Sequence, residues 1–233
     1  SRGDEAMILS SMNLLRKYYN AEKFYFIASD SLGINETRKR GHEAILAWKG
    51  FFPIYHIVKA IKQLNPSKVI IIGADCMDGY YSPLASMIFT AIADICQCHH
   101  IPYNILGFSF NEAPSWWLKQ AYSICSKDVK FNIRDFYSQE RFTKFTHKPS
   151  TLVADMAVLL EPKSNFEDYY YYCNWVNKRK DRKQVVVGFN FHPMLKKKQT
   201  ETEIKKACEV LSDMISKFLK QNGNISFMLI PHD

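Results

Sequence analysis

The stretch KVIIIGADCMDGYYSP, residues 68–83, sets the reading of the chain. Residues 68–73 are apolar on both faces, as a strand buried in a parallel sheet must be. Gly73 ends the run, a polar turn follows with Asp75 and Asp78, and Pro83 opens a long apolar segment, 83–99, that reads as a helix. Strand, polar turn and helix make the repeating unit of an α/β fold, and the same unit recurs on both sides.

Upstream, residues 5–18 read as a helix, 23–29 as a strand and 42–64 as a second helix broken at Pro53. Downstream come a strand at 102–110, a helix at 114–125 begun by proline, a strand at 129–133, a helix at 138–145 and a strand at 151–154. This alternation predicts a parallel sheet covered by helices on both faces. A polar, tyrosine-rich stretch then interrupts it, and QVVVGFNF restarts it as a strand at 184–191, followed by an amphipathic helix at 201–221 and a strand at 225–230. The expected organisation is a first domain over 1–162, a linker over 163–183 and a second domain starting at 184–233. One βαβ unit does not close a sheet, and SRGDEA enters a helix with no leading strand, so the chain reads as the middle of a longer protein with its second domain incomplete.

Composition narrows the function. The chain has 233 residues, 47% of them apolar and 23% charged, enough for a sizeable core. No apolar run approaches the ~20 residues that cross a bilayer, and no secretory leader pattern is present, so a cytoplasmic protein is expected. The cysteines lie scattered through core-like segments, which suits free thiols. CQCHH, residues 96–100, closes a helix in which positions i and i+2 diverge, so no metal site is expected there. The formal charge is +8, concentrated in KRKDRK (178–183) and KKK (196–198). The aromatic residues do not interleave with these runs, which argues against nucleic acid. A basic face of this kind suits a peripheral, salt-sensitive contact with the inner membrane surface.

In open parallel sheets ligands bind beyond the carboxyl ends of the strands. The residues there are Asp75 and Asp78, Asn111 and Glu112, Arg134 and Asp135, Asp155, Asn190 and His192, and finally His232 and Asp233. Singly, such residues cap helices more often than they catalyse. At the other end GDEA joins a permissive Gly3 to Asp4 at a helix start, where free amides favour an anion and Arg2 adds positive charge. The glycine triplet of dinucleotide folds, a lysine-bearing phosphate loop, a G-x-S-x-G elbow and an HExxH helix are all missing from the sequence.

The order of motifs resembles the polysaccharide pyruvyl transferase family. It is carried by RGDEAMILSSMNLL, VIIIGADCMDGYYSP, FNIRDFYSQERF followed by LVADMAVLLEP, then VVVGFNFHPM and FMLIPHD. The resemblance implies two Rossmann-like domains in a glycosyltransferase B-like arrangement, with the active site in the cleft and the first domain on the acceptor side. It also implies transfer of pyruvate from phosphoenolpyruvate, as donor substrate and with no cofactor, to two hydroxyls of a sugar. The acceptor would be a bacterial surface glycan, as in capsule or exopolysaccharide biosynthesis, or its lipid-linked precursor. On this reading His232, Asp4 and His192 are the catalytic candidates, and Arg2, Gly3, Glu5, Asp75, Asp78, Asn190 and Arg134 the substrate-binding ones. A glycosyltransferase using a nucleotide sugar, or a non-catalytic glycan-binding relative, would present the same scaffold.

Overall fold

The computed structural model describes residues 2–28, 31–47, 52–161, 167–191 and 200–230, without the side chains of residues 2, 32, 36 and 167. It is mixed α/β, every strand pair is parallel, and the chain divides into two compact units, Gly3–Leu160 and Glu161–Asp233.

In the first unit, α1 (Arg2–Tyr19) buries Met7, Ser10 and Ser11, the i, i+3, i+4 stripe of one helix face. β1 (Tyr25–Ala28) follows, then α2 (Ser31–Lys39) and β2 (Glu43–Leu46), with β1 and β2 paired from Tyr25↔Glu43 to Ala28↔Leu46. α2 stops because Gly41 takes φ +78, letting its N–H reach the Arg38 carbonyl and the His42 N–H reach Thr37. This is a Schellman cap. It corrects the helix expected over 42–64: the chain leaves Gly41 extended as β2, and only α3 (Pro53–Leu64) is helical.

β3 (Val69–Ile71) pairs with β4 (Tyr103–Ile105), and β5 (Asn132–Ile133) with β6 (Thr151–Leu152). A parallel bridge, Phe108↔Ile133, joins the pairs: the Phe108 N–H donates to Asn132 O at 3.2 Å, and the Arg134 N–H to Phe108 O at 3.1 Å. The strands therefore run side by side in the order β3, β4, β5, β6, with their carboxyl ends on one edge. Alternation sorts their side chains. Ile71, Ile105 and Ile133 face a core completed by α3, α4 (Pro83–Cys98), α5 (Trp117–Ile124) and α6 (Phe136–Thr146). Ile70, Asn104 and Asn132 instead line a cavity of about 310 Å³ with Ser11, Leu14 and Tyr19 of α1, which places α1 on the opposite face.

Phe142 centres the core, its ring 5.0–5.7 Å from those of Phe108, Phe110, Tyr122 and Phe131. Tyr122 is fully buried, its hydroxyl donates to Met77 O at 2.7 Å, and burial raises its pKa. The helix expected from Pro114 begins instead at Trp117, with the Ser115 N–H ahead of it donating to Asp78 O at 2.8 Å. Cys96 is buried and Cys98 exposed, as a two-residue step on a helix requires.

In the second unit the stretch read as a linker carries α7 (Glu167–Asp181). Then β7 (Val185–Phe189) pairs along its whole length with β8 (Ile225–Leu229) through the crossover helix α8 (Glu201–Gln221). A capping box between Thr200 and Glu203 starts α8, as its sequence invites. Phe227 sits between Phe189 and Phe218, at 6.4 and 6.1 Å. Among the described residues no helix is long and apolar enough to cross a membrane.

Candidate functional site

The parallel order of β3 to β6 delivers residues 73–78, 108–112, 134–138 and 153–155 to a single edge. Approach between the last three is very close. A Cβ on Gly107 would lie 2.9 Å from Val153 Cγ2, 3.0 Å from Ala154 O and 3.1 Å from Arg134 Cβ. Only a residue without a side chain fits that position.

Arg134, the first residue after β5, gathers this edge. Its Nε donates to Ser109 Oγ at 2.6 Å beyond β4, its Nη1 to Asp155 Oδ2 at 2.8 Å beyond β6, and its Nη2 to Asp75 beyond β3. A planar guanidinium satisfies three divergent acceptors in this way, which a lysine ammonium does not reproduce. Asp155 uses its other oxygen to cap the 3-10 turn Met156–Leu159, accepting from Ala157 N–H at 2.9 Å. Asp135 caps α6 with Oδ1 (2.8 Å from Ser138 N), while its Oδ2 accepts from Ser138 Oγ at 2.7 Å and Ser109 Oγ at 3.4 Å. Burial alone would raise the Asp135 pKa. The Ser138 and Ser109 hydrogen bonds and the Arg134 charge outweigh it, so the carboxyl titrates below its usual range.

Asp78 occupies a different place from Asp75. It is only 3% exposed, and its oxygens accept from the main-chain N–H groups of Tyr80 (2.8 Å) and Asn111 (3.0 Å). Burial raises its pKa against the opposing effect of those amides. Asp78 therefore clamps the β3–α4 turn to the β4–α5 loop from beneath, whereas Asp75 is at the surface with 55% of its side chain exposed. Gly79 lets the turn close, with φ +73 and an imagined Cβ 2.8 Å from Ser115 Cβ.

Asp4 and Glu5 lie in the first turn of α1, which already includes Arg2 and so starts ahead of the 5–18 expected from the sequence. Glu5 pairs with Arg40. The Cys76 thiol is pushed up by burial first and by the charges of Asp4, Asp75 and Asp78 next, which places Asp4 within electrostatic reach of the β3 edge. Gly3 belongs to α1, and the Arg2 side chain lies outside the described residues. In the second unit Asn190 Nδ2 donates to Ile230 O at 2.8 Å, tying the carboxyl ends of β7 and β8. His192 and His232 also lie outside the described residues. Ser109 escaped the sequence reading, although a serine flanked by two phenylalanines at a strand end, two residues past Gly107, was available as a signal. Among the described residues no group of His, Cys, Asp and Glu is arranged to hold a metal.

A sequence model of one family, polysaccharide pyruvyl transferase, matches residues 2–190. The chain belongs to that family. The match takes in the whole Arg134 edge of the first unit and continues through β7 to Asn190, so this member carries its Arg-Asp-x-x-Ser cap and Asp155 within the family's shared region. Comparisons with curated proteins and with solved structures find no match. Membership makes the chain a transferase at family level, with a polysaccharide as the implied acceptor.

Proposed function

We propose that this family member transfers the pyruvyl group of phosphoenolpyruvate to two hydroxyls of one sugar, in a bacterial surface glycan or its lipid-linked precursor, forming a cyclic ketal. The family match over residues 2–190 carries the reading. Protonation of C3 makes C2 of phosphoenolpyruvate electrophilic. One hydroxyl adds to C2, the C2–O bond to phosphate breaks, and the second hydroxyl closes the ketal. The two hydroxyl protons balance the one gained at C3 and the one carried off by phosphate.

Such a path needs an acid for C3, acceptors for hydroxyl protons and positive charge for the leaving phosphate. Asp75, held to Arg134 and more than half exposed, suits the hydroxyls, with Asp4 near the same edge. Arg134 and Asp78 set the position of that edge. His232 is proposed as the acid or phosphate ligand and His192 as its partner, with Asn190, Arg2, Gly3 and Glu5 assisting substrate binding. We also propose the two-domain glycosyltransferase B-like architecture, a cytoplasmic location, and a peripheral membrane contact through the basic residues of 178–198.

The test incubates full-length protein with phosphoenolpyruvate and a panel of oligosaccharides, reading phosphate release and the ketal methyl singlet by NMR. Acceptor-dependent release with a new methyl signal supports the reading. Binding of UDP- or GDP-sugars, with none of phosphoenolpyruvate, overturns it in favour of a glycosyltransferase.

A further inference from the structure

Large aromatic side chains stand in water around the Arg134 edge. Tyr81 follows β3, Trp116 and Trp117 follow β4, and Phe136 and Tyr137 follow β5; each is more than half exposed. The two indoles stack with centroids 3.9 Å apart at 24°, and the Phe136 and Tyr137 rings meet edge to face at 6.2 Å. A single exposed aromatic needs no explanation. Several on successive loops of one edge mark a surface that is covered when the protein works.

The loops are also built to stay where they are. Asp78 holds Tyr80 and Asn111 through its carboxylate and Ser115 through its carbonyl, at 2.8–3.0 Å. Gly79 touches Ser115 and Leu118, the residues that flank the tryptophan pair. The turn bearing Tyr81 and the start of α5 are therefore locked together, and the indoles are presented by a fixed backbone.

Charge selects the occupant. Residues 74–82, 107–117 and 134–138 contain Asp75, Asp78, Glu112 and Asp135 but a single cation, Arg134, which is already paired with Asp75. Glu112 is paired from outside these segments, by Arg141 at 3.5 Å. Asp78 is buried and Asp75 and Glu112 are ion-paired, so an anionic lipid surface or polyanion would find no unpaired cation in these segments. Flat apolar rings beside hydrogen-bonding carboxylates match a neutral sugar, whose C–H face lies on an aromatic ring while its hydroxyls reach acceptors at the rim.

We propose that Tyr81, Trp116, Trp117, Phe136 and Tyr137 form a stacking platform for a neutral oligosaccharide, so that the acceptor is recognised over several sugar units. The proposal rests on the glycan-acceptor reading above and deepens it. The pyruvate ketal adds a carboxylate to the glycan, and loops with no unpaired cation offer that carboxylate no partner, which favours release of the product.

The experiment titrates full-length protein with maltotetraose, cellotetraose and β-1,4-galactotetraose and with the parent monosaccharides, followed by tryptophan fluorescence and calorimetry. At least one tetrasaccharide is expected to bind about tenfold more tightly than its monosaccharide, equivalent to ~1.4 kcal/mol. Trp116→Ala/Trp117→Ala should abolish that advantage while phosphoenolpyruvate affinity is retained, and Tyr137→Ala, which leaves the indoles in place, should weaken it separately. The platform is refuted if no tetrasaccharide outbinds its monosaccharide, or if both variants bind as the parent does. It is equally refuted if the tryptophans respond only to phosphatidylcholine vesicles, or if the double variant's sole effect is loss of a dimer in sedimentation. Tetrasaccharide binding without phosphate release would defeat the transferase reading and leave the platform standing.

Discussion

Replacing Arg134 with methionine keeps the aliphatic stem and removes the guanidinium that joins four strand ends. The side chain is 22% exposed, its Asp155 partner 30% and its Asp75 partner 55%. Hydrogen bonds to charged groups contribute about 1.5–3 kcal/mol when shielded, but a half-exposed ion pair contributes only ~0–1 kcal/mol, because Asp75 recovers its hydration once released. Most of the loss then falls on Asp155 and Ser109, giving an expected cost of about 2–4 kcal/mol. Urea unfolding, followed by circular dichroism, reads it as a lower midpoint at unchanged slope. Asp155→Asn in the same background gives the coupling: the two substitutions together should cost at least about 1 kcal/mol less than their separate effects added. Arg134→Lys should recover less than half, since an ammonium serves one or two of the three acceptors. A loss below about 0.5 kcal/mol, or additive effects of the two substitutions, would show that the arginine is a surface charge with no clamping role.

Phe142→Ala removes the ring on which Phe108, Phe110, Tyr122 and Phe131 converge, and should cost about 3–5 kcal/mol with a visible loss of near-UV dichroism; a cost under about 1 kcal/mol would mean the cluster does not hold the unit together. Asp135→Asn tests the lowered carboxyl. Its stabilising effect is complete above the unfolded value of 3.8 and is lost as pH falls through the lower folded value. The variant should therefore be less stable by about 1–2 kcal/mol at neutral pH, through the lost charge and the lost Oδ2 acceptor for Ser138 and Ser109, since asparagine still caps the helix, and the gap should close in acid as the parent protonates. A gap that stays constant from neutral pH down to the parent's acid transition would contradict the assignment.

The sheet and its helices were legible where a local signal decides them. Thr200 and Glu203 announce α8, and the apolar β3 with Pro83 behind it announces the strand–helix unit. Gly41 was an equally good stop signal for α2, but EAIL carries no alternation strong enough to mark a strand, so β2 was absorbed into a helix. The edge was legible as a set of residues and not as a geometry. Asp75, Ser109 and Asp155 stand 59, 25 and 21 residues from Arg134, and only strand order decides that one guanidinium touches all of them. Asp75 and Asp78 look alike in sequence, three positions apart, yet one is at the surface and the other buried under main-chain amides. Trp116 and Trp117 lie in a stretch that reads only as a helix, and composition cannot tell a buried indole from a presented one.

Asp78 grips Tyr80 and Asn111 by their main-chain amides, and Ser115 by the same kind of group. Every residue but proline supplies that donor, so the attachment is indifferent to which side chains the two loops carry. Gly79 apart, the residues beside these anchors are thereby released from any duty to hold the turn. Substitution there can exchange one set of rings and polar groups for another while the frame beneath stays in register, a route by which an enzyme of this kind can move from one glycan to the next without first having to refold its edge.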